Sequence, residues 1–302
     1  MKKFAVLVSL HTRENDFQIA QAASAQETAD KLGINLEIAF ADNDAVNQST
    51  QILQEIQKLG ESRPDAVVLE PVGGTALPQV ARTACAVGIG WVVLNRTPDY
   101  MSELRRTAAA PVFAVSSDHA KIGRIQGRQF AALLPKGGSI LYIEGPSQSS
   151  SAQKRTVGML ETKPSNIQLT TLKGQWTEES AERAVRSWLN LSTSKSAPID
   201  LVGAQDDSMA MGARKAFQKI TNEKERAGWL RLPFTGCDGL PGTGQTWVRE
   251  GRLAATIYIP PLAGTAIEIL ANATQMGKQP PELTVSESFS VPPLEVLASR
   301  NS

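Results

Sequence analysis

The chain has 302 residues, of which 41% are hydrophobic and 20% are charged, and its formal net charge is +1. This length can hold two α/β lobes with a core in each, and its longest apolar run is far shorter than a membrane span. The dispersed, nearly balanced charge argues against a nucleic-acid-binding protein, because such a surface needs a clustered basic excess.

The first predicted strand covers residues 4–10. The lysines at positions 2 and 3 ahead of it resemble the start of a signal peptide, but His11, Arg13 and Glu14 would interrupt the hydrophobic region of such a peptide. We therefore interpret residues 4–10 as part of the folded domain. An export signal is then either missing from this chain or was never present.

Short apolar runs alternate with segments of helical period through the first half, a pattern that predicts parallel βαβ units. Further strands are expected at 36–40, 66–69 and 91–94, with a helix at 78–87. Two more helices are predicted between the strands. The first should bury Phe17, Ala20, Ala23 and Leu32 and end at Gly33, and the second should bury Val46, Leu53, Ile56 and Leu59.

The same rhythm begins again at residue 112 and predicts a second doubly wound unit. Strands are expected at 112–115, 139–143, 168–172, 199–204, 233–236 and 254–259, and closing strands at 283–296. Helices are expected after the strand at 112–115 and at 154–160, 178–189, 209–220, 242–250 and 261–276. Because no Pro-rich or Gly-Ser-rich linker separates the halves, we predict a hinge of crossing strands between two lobes.

Polar and aromatic residues recur directly after the predicted strands, which is where ligands bind in open α/β sheets. Carboxylates accept hydrogen bonds from hydroxyls, arginine donates in a planar fork, and aromatic faces cover the C–H side of a sugar ring, so the set suits a polyhydroxylated ligand. The candidate ligand-binding residues are Asn15, Phe17, Glu70, Asn95, Arg96, Arg155, Trp176, Asp206 and Asp238.

Each candidate also has a structural interpretation, which stays open at this point. The two arginines could form surface ion pairs, and the two aspartates could cap the helices that follow them. The two aromatic residues could belong to a core or an interface, and Glu70, just before a proline, could lie in a solvated turn.

Nothing in the chain has the spacing of a catalytic or metal site. The two histidines, His11 and His119, are neither in a metal-ligand spacing nor near a Ser or Cys nucleophile motif. The glycine-rich segments at 236–239 and 242–244 lack the Lys-Ser/Thr of a phosphate loop. We expect Cys85 and Cys237 to be buried free thiols, with a disulfide between them as the alternative, and we expect no catalytic residue, cofactor or metal.

Eight stretches, taken together in order and spacing, carry a family resemblance: residues 15–17, 65–71, 91–96, 116–118, 151–158, 203–212, 236–239 and 251–256. They make nearly the whole chain resemble the periplasmic ribose-binding protein family, whose fold is shared by the ligand-binding core of the lactose repressor. The resemblance implies the periplasmic binding protein type I fold, an α/β architecture of two Rossmann-like lobes with parallel sheets and a three-strand hinge. The lobes would be 1–116 plus 260–289, and 117–259 plus 290–302, with crossings near 116, 259–260 and 289–291.

The resemblance also implies roles for residues already singled out. Asn15 matches an amide donor, and Phe17 and Trp176 match two aromatic walls that enclose the ligand. Arg96 and Arg155 match arginines that bind ring oxygen and hydroxyls, and Asp238 matches an acid that accepts from paired hydroxyls. Asp206 stands where ribose binders carry an amide.

Four positions depart from the family pattern. Asn95 replaces an Asp before the arginine, Glu70 an Asn, Gln18 a second aromatic residue, and Ile259 a polar contact. These changes favour a sugar or polyol other than ribose, because exchanging acids and amides reorders which hydroxyls are recognised.

The sequence therefore predicts a monomeric, non-enzymatic solute-binding protein of the periplasm that closes its two lobes on a small sugar or polyol. Arg96 from one lobe and Arg155, Asp206 and Asp238 from the other would contact the ligand, and the closed form would dock to the permease of an ABC transporter. One alternative is a cytoplasmic ligand-sensing core related to lactose-repressor-type regulators but without a DNA-binding domain. Another is an enzyme acting on a sugar or nucleotide, for which no base–nucleophile pair is evident.

Overall fold

The computed structural model describes residues 3–73, 76–192 and 198–299, and it divides into two compact units. The first unit comprises the chain up to Ser117 together with Pro261–Ser286, and the second comprises Asp118–Pro260 together with the chain from Glu287 onward. The chain thus passes between the units three times, after Ser117, Pro260 and Ser286. The predicted crossings were near 116, 259–260 and 289–291. Residues 1–2 and 300–302, at the ends of the predicted lobes, lie outside the described residues.

The first unit is built on a six-stranded parallel sheet in the order β11-β5-β4-β3-β1-β2. Its central strands are buried along their whole length, because helices cover both faces of the sheet. The strands are β1 (Ala5–Leu10), β2 (Asn35–Phe40), β3 (Ala66–Leu69), β4 (Gly90–Leu94), β5 (Val112–Ser117) and β11 (Leu283–Ser286).

Alternate residues of these strands enter two separate cores. Trp91 and Leu7 lie in one core with Ile52 of α2 (Ala45–Gln57). Phe113 lies in the other core with Leu270 of α11 (Ala263–Met276). The helices of this unit are α1 (Asp16–Leu32), α2 (Ala45–Gln57), α3 (Pro78–Ala86), α4 (Met101–Thr107) and α11 (Ala263–Met276).

The buried faces of α1 and α2 differ from the prediction. In α1, Phe17 is buried as expected, but Ala23 and Leu32 are exposed. Their places inside are taken by Gln18, Gln21, Ala25, Thr28 and Ala29. In α2, Val46 is 75% exposed, and Ile52 and Ile56 form the buried stripe; Leu59 lies beyond the end of the helix and is 83% exposed. The apolar period misleads at α1 because two of its inward side chains are amides that hydrogen-bond to the loops at the sheet end.

The second unit contains a four-stranded parallel sheet in the order β7-β6-β8-β9 and a separate antiparallel pair, β10 with β12. The strands are β6 (Gly138–Glu144), β7 (Ile167–Lys173), β8 (Leu201–Ala204), β9 (Phe234–Thr235), β10 (Thr256–Tyr258) and β12 (Phe289–Val291). The two paired strands β10 and β12 adjoin the second and third passages of the chain between the units.

Aromatic contacts mark the cores on the two faces of this sheet. Phe130 meets Tyr142 edge to face at 5.9 Å, and Phe217 stacks on Trp229 at 4.7 Å between ring centroids. The helices are α5 (His119–Leu133), α6 (Ser150–Thr162), α7 (Glu178–Leu189), α8 (Asp207–Gln218), α9 (Glu223–Arg231), α10 (Gly244–Arg249) and α12 (Leu294–Ser299).

Among the described residues, three α-helices were not predicted from the sequence: α4, α9 and α12. The segment at 283–296 was predicted as strands throughout, but its last residues already belong to α12. Across residues 3–73, 76–192 and 198–299, no helix is both long enough and apolar enough to span a membrane.

Candidate functional site

In the first unit, the predicted site residues follow three strands that lie side by side. Strands β4, β3 and β1 are neighbours and run in the same direction, so the segments after them emerge at one edge of the sheet. The side chains of the five candidates are buried there, namely Asn15, Phe17, Glu70, Asn95 and Arg96. The topology of the sheet therefore places this predicted set at one end of the unit.

Asn15 connects the end of β1 to the start of α1. Its Oδ1 accepts a hydrogen bond from the Gln18 backbone N–H at 3.1 Å and thereby caps the helix. The Gln18 side chain in turn accepts from the backbone N–H of His11 at 3.0 Å. Gln18, which stands where an aromatic residue was expected, thus fixes the loop between strand and helix.

Glu70 is held in a buried hydrogen-bonded network and does not lie in a solvated turn. Its carboxylate accepts from Nε2 of Gln21 at 3.3 Å, and its backbone carbonyl accepts from Nε2 of Gln48 at 2.9 Å. Gln48 also donates to Oγ of Ser9 and accepts from the backbone N–H of Val72. These amides, which sequence reasoning missed, position the end of β3 against β1.

Arg96 is buried, unlike an arginine that forms an ion pair on the protein surface. Its guanidinium donates to the backbone carbonyl of Gly73. Burial lowers the pKa of Arg96, and the nearby carboxylate of Glu70 opposes that effect. Asn95 before it adopts a left-handed backbone conformation with φ of 56°, which asparagine tolerates better than most residues. This turn separates the end of β4 from the side chain of Arg96.

His11 lies in the same buried environment. Its Nε2 is 2.9 Å from the carbonyl oxygen of Pro71. Burial is the main reason that the pKa of His11 falls below its usual value, with the charge of Arg96 acting in the same direction and that of Glu70 against it. The imidazole is therefore held neutral near pH 7 and acts as a hydrogen-bonding group of the loop.

In the second unit, the candidates also follow neighbouring parallel strands. Arg155 lies on α6 after β6, Trp176 follows β7, Asp206 follows β8, and Asp238 follows β9. Arg155 and Trp176 are in direct contact, with Cζ of the arginine 5.5 Å from the centre of the indole. The sheet order thus places this second predicted set at one end of its unit.

Arg155 is buried, and only some of its hydrogen-bond donors have acceptors among the described residues. Its guanidinium donates to the backbone carbonyl of Gln205, whereas its buried Nε–H has no acceptor within the described part of the chain. The helix that carries it is pressed against α5, because a Cβ on Gly123 would lie 2.1 Å from the Arg155 carbonyl oxygen. A buried donor on a closely packed helix is a fixed hydrogen-bonding position for an incoming acceptor.

Gln205 is a fully buried residue that supports this arginine. Its Oε1 accepts from the backbone N–H of Gly145 at 2.9 Å, and its Nε2 lies 3.0 Å from the Ala152 carbonyl and 3.1 Å from the Tyr142 hydroxyl. One amide therefore joins β6, α6 and the end of β8. Its position directly before Asp206, at the end of a predicted strand, is a sequence signal that could have identified it.

The aspartates at the ends of β8 and β9 differ in role. Asp206 caps α8 by accepting from the Met209 N–H at 2.6 Å, so the structural interpretation is correct for that oxygen. Asp238 does not cap the next helix, because α10 begins only at Gly244. Asp207, which was not predicted, accepts from the Gly239 N–H and the Thr256 hydroxyl, each at 2.7 Å, and so fixes the loop that carries Asp238.

The chemistry of both sets is that of recognition by hydrogen bonds and an aromatic face. Within the described ranges, no group of three or more His, Cys, Asp or Glu side chains could hold a metal ion. Cys85 and Cys237 are buried and free, and burial raises the pKa of Cys85 to about 11 and that of Cys237 well above its usual value. Neither thiol is therefore activated as a nucleophile.

Comparisons with known proteins agree with this architecture. Residues 5–279 match the model of a family described as periplasmic binding protein domain. A ribose import binding protein of Escherichia coli (strain K12) is 26% identical over 289 residues, covering 94% of this chain and 90% of that protein.

Two solved structures share the fold at lower sequence identity. A galactofuranose-binding protein superposes with a TM-score of 0.81 at 21% identity, covering 98% of both chains. The myo-inositol-binding protein of Caulobacter gives a TM-score of 0.79 at 20% identity, covering 98% of this chain and 95% of that one. The prediction of a type I periplasmic binding fold is confirmed.

Proposed function

The chain belongs to the periplasmic binding protein family, and from this premise we propose that it binds a small sugar or polyol and delivers it to the permease of an ABC transporter. The family match over residues 5–279 is the observation that carries the proposal. It is supported by a relative, matched over 90% of its length, that is a ribose import binding protein.

We assign ligand recognition to the nine predicted residues. In the first unit, Asn15, Glu70, Asn95 and Arg96 supply amide, carboxylate and guanidinium groups next to Phe17. In the second, Asp206, Asp238 and Arg155 supply carboxylate and guanidinium groups next to Trp176. The Nε–H of Arg155, which has no acceptor among the described residues, would donate to a ligand oxygen. A ligand held by both sets stabilises a closed form that neither set alone would favour.

We further propose that the preferred ligand is not ribose. Relative to the ribose-binding pattern, Glu70 and Asp206 replace amides by acids and so remove donors, whereas Asn95 replaces an acid by an amide and so adds one. Gln18 and Ile259 add to the difference. Gln18 bonds to the His11 backbone, and Ile259 is buried with its N–H donating to the Asp238 carbonyl at 2.9 Å.

The proposal also covers cellular location, assembly and chemistry. We infer that the protein works outside the cytoplasm as a monomer, as expected for a binding protein that carries a solute to a membrane permease. We infer binding without catalysis, in keeping with the raised pKa values of both thiols and the neutral, hydrogen-bonded His11.

Isothermal titration calorimetry with a panel that includes D-ribose, D-galactose and myo-inositol tests the proposal. Arg96→Met and Arg155→Met should each weaken binding of the best ligand by about tenfold to a hundredfold, because each removes a charged hydrogen-bond donor. Arg106→Met and Arg183→Met, at exposed arginines of the first and second unit, are the matched controls and should bind as the wild type does.

Two results would overturn the proposal. One is the absence of both binding heat and thermal shift with every member of the panel. The other is a ligand whose affinity is the same in both arginine variants as in the wild type, since that ligand would bind elsewhere.

A further inference from the structure

The first turn of α11 is held by a side chain from another helix. This helix begins at Ala263, just after the chain has crossed into the first unit at Pro260–Pro261, and Leu262 at its N-terminus offers no side-chain cap. The free N–H groups of a helix start need acceptors. Oε1 of Gln21, a fully buried residue of α1, accepts from the N–H of Leu262 at 2.6 Å and from that of Ala263 at 2.9 Å.

These two bonds fix the orientation of the Gln21 amide. Only its oxygen can accept from two N–H groups, so its nitrogen must point the other way. On that side, Nε2 donates to the carboxylate of Glu70 at 3.3 Å. One buried amide therefore connects a candidate ligand-binding carboxylate to the backbone directly after a crossing between units.

The contact between α1 and α11 is too tight to absorb a shift. A Cβ on Gly264 would lie 2.5 Å from Oγ of Ser24 and 2.6 Å from Oγ1 of Thr28, both on α1. If the first turn of α11 is displaced, α1 must therefore move with it. Helix α1 begins after Asn15 and contains Phe17.

We propose that Gln21 is a positioning residue that couples ligand contact at Glu70 to the backbone of Leu262 and Ala263. This inference rests on the proposed function. A ligand hydroxyl that donates to Glu70 reorients or polarises the carboxylate, and the Gln21 amide transmits the change to the start of α11. Occupancy of the site thereby acts on the segment that follows the second crossing of the chain.

Three variants separate this role from simple packing. Gln21→Met keeps the length of the side chain but removes all three hydrogen bonds. Gln21→Glu keeps acceptors for α11 but places a second carboxylate against Glu70. The double variant Q21E/E70Q reverses donor and acceptor between the two residues and keeps the local charge. Gln26→Met is the matched control, because Gln26 lies on the exposed face of the same helix and its side chain donates to Asp30 on that helix.

Amide hydrogen exchange at Leu262 and Ala263, with and without the panel sugar or polyol that binds best, reports the coupling. In the wild type and in Gln26→Met, this ligand should slow exchange at both amides. In Gln21→Met, exchange in the unliganded protein should be about tenfold faster and the dissociation constant about tenfold higher, as expected for lost buried hydrogen bonds. At saturating ligand, Gln21→Met should show no ligand-induced slowing of exchange at Leu262 and Ala263.

A ligand that slows exchange at Leu262 and Ala263 equally in Gln21→Met and in the wild type would overturn the proposal. The hydrogen bond between Gln21 and Glu70 can also be tested without a ligand. Thermal unfolding should occur at a lower temperature in Gln21→Glu and recover in Q21E/E70Q. If no member of the panel binds, the proposed function fails by itself. If the unfolding temperature does not recover in Q21E/E70Q, the proposed connection between Gln21 and Glu70 is refuted as well.

Discussion

Replacing Gly145 by alanine should disturb the second set of candidate residues through Trp176. Gly145 follows β6 directly, and an added Cβ would lie 2.3 Å from both Cζ2 and Cη2 of the indole. Carbon atoms in contact prefer a separation of roughly 3.5–4.0 Å, so the ring would have to retreat by more than about 1 Å. Its contact with the guanidinium of Arg155, now 5.5 Å from ring centre to Cζ, would change with it.

The size of the effect follows from these distances. Inserting a methyl group where no space exists costs about 1–3 kcal/mol, which lowers the unfolding temperature by roughly 2–10 °C for a unit of this size. If the indole also covers the ligand, losing an aromatic contact of about 1 kcal/mol should raise the dissociation constant by about fivefold to tenfold.

Calorimetric titration and thermal unfolding of Gly145→Ala, compared with Gly228→Ala, measure both effects. Gly228 lies on the exposed side of α9, where a Cβ would have no neighbour within 4 Å, so alanine there should be neutral or stabilising by up to about 1 kcal/mol. Unchanged stability and affinity in Gly145→Ala would refute the placement of the indole. Lower stability with unchanged affinity would show that Trp176 packs against the loop without touching ligand.

Three further outcomes can be measured directly. Cys85 and Cys237 should react with a thiol reagent at pH 8 only after unfolding, because burial keeps both protonated; rapid reaction of the native protein would contradict this. Since the pKa of His11 is lowered from 6.5 by burial, the unfolded chain binds more protons, and stability should fall as pH drops below about 6.5 and fall less in His11→Asn. Ile52→Ala should cost about 2–5 kcal/mol, whereas Val46→Ala on the exposed side of α2 should change the free energy of unfolding by less than about 0.5 kcal/mol in chemical denaturation.

The strands could be predicted well from the sequence because each central strand is buried on both faces. Such a strand is a short continuous apolar run, and β3 was predicted with the bounds that the structure gives. Once the parallel strands are in place, the residues after them must lie at one edge. That rule alone led to Glu70 and Arg96 without any knowledge of their contacts.

The helices were harder because their apolar period is weak or misleading. Helix α9 carries charged residues at five of its nine positions, and none of its side chains is fully buried, so no apolar stripe marks it. In α1 the outward positions include Ala23 and Leu32, while Gln18 and Gln21 point inward. Hydropathy assigns glutamine to the surface, and the correct face depends on hydrogen-bond partners that are distant in the sequence.

The tendency of hydropathy to assign glutamine to the surface also explains why the supporting residues of the candidate site were missed. Gln21, Gln48 and Gln205 are all fully buried, and each donates and accepts at once between elements that end at the candidate residues. An uncharged amide can satisfy a carboxylate on one side and backbone N–H groups on the other, whereas leaving either side unpaired would cost about 1–3 kcal/mol. Exchanging Glu70 for an amide would therefore alter the proposed ligand contact. It would also turn the acceptor that faces Gln21 into a group that both donates and accepts. Under the proposed function, ligand preference at this position is a property of the pair Gln21 and Glu70, and substitutions there should be judged as pairs.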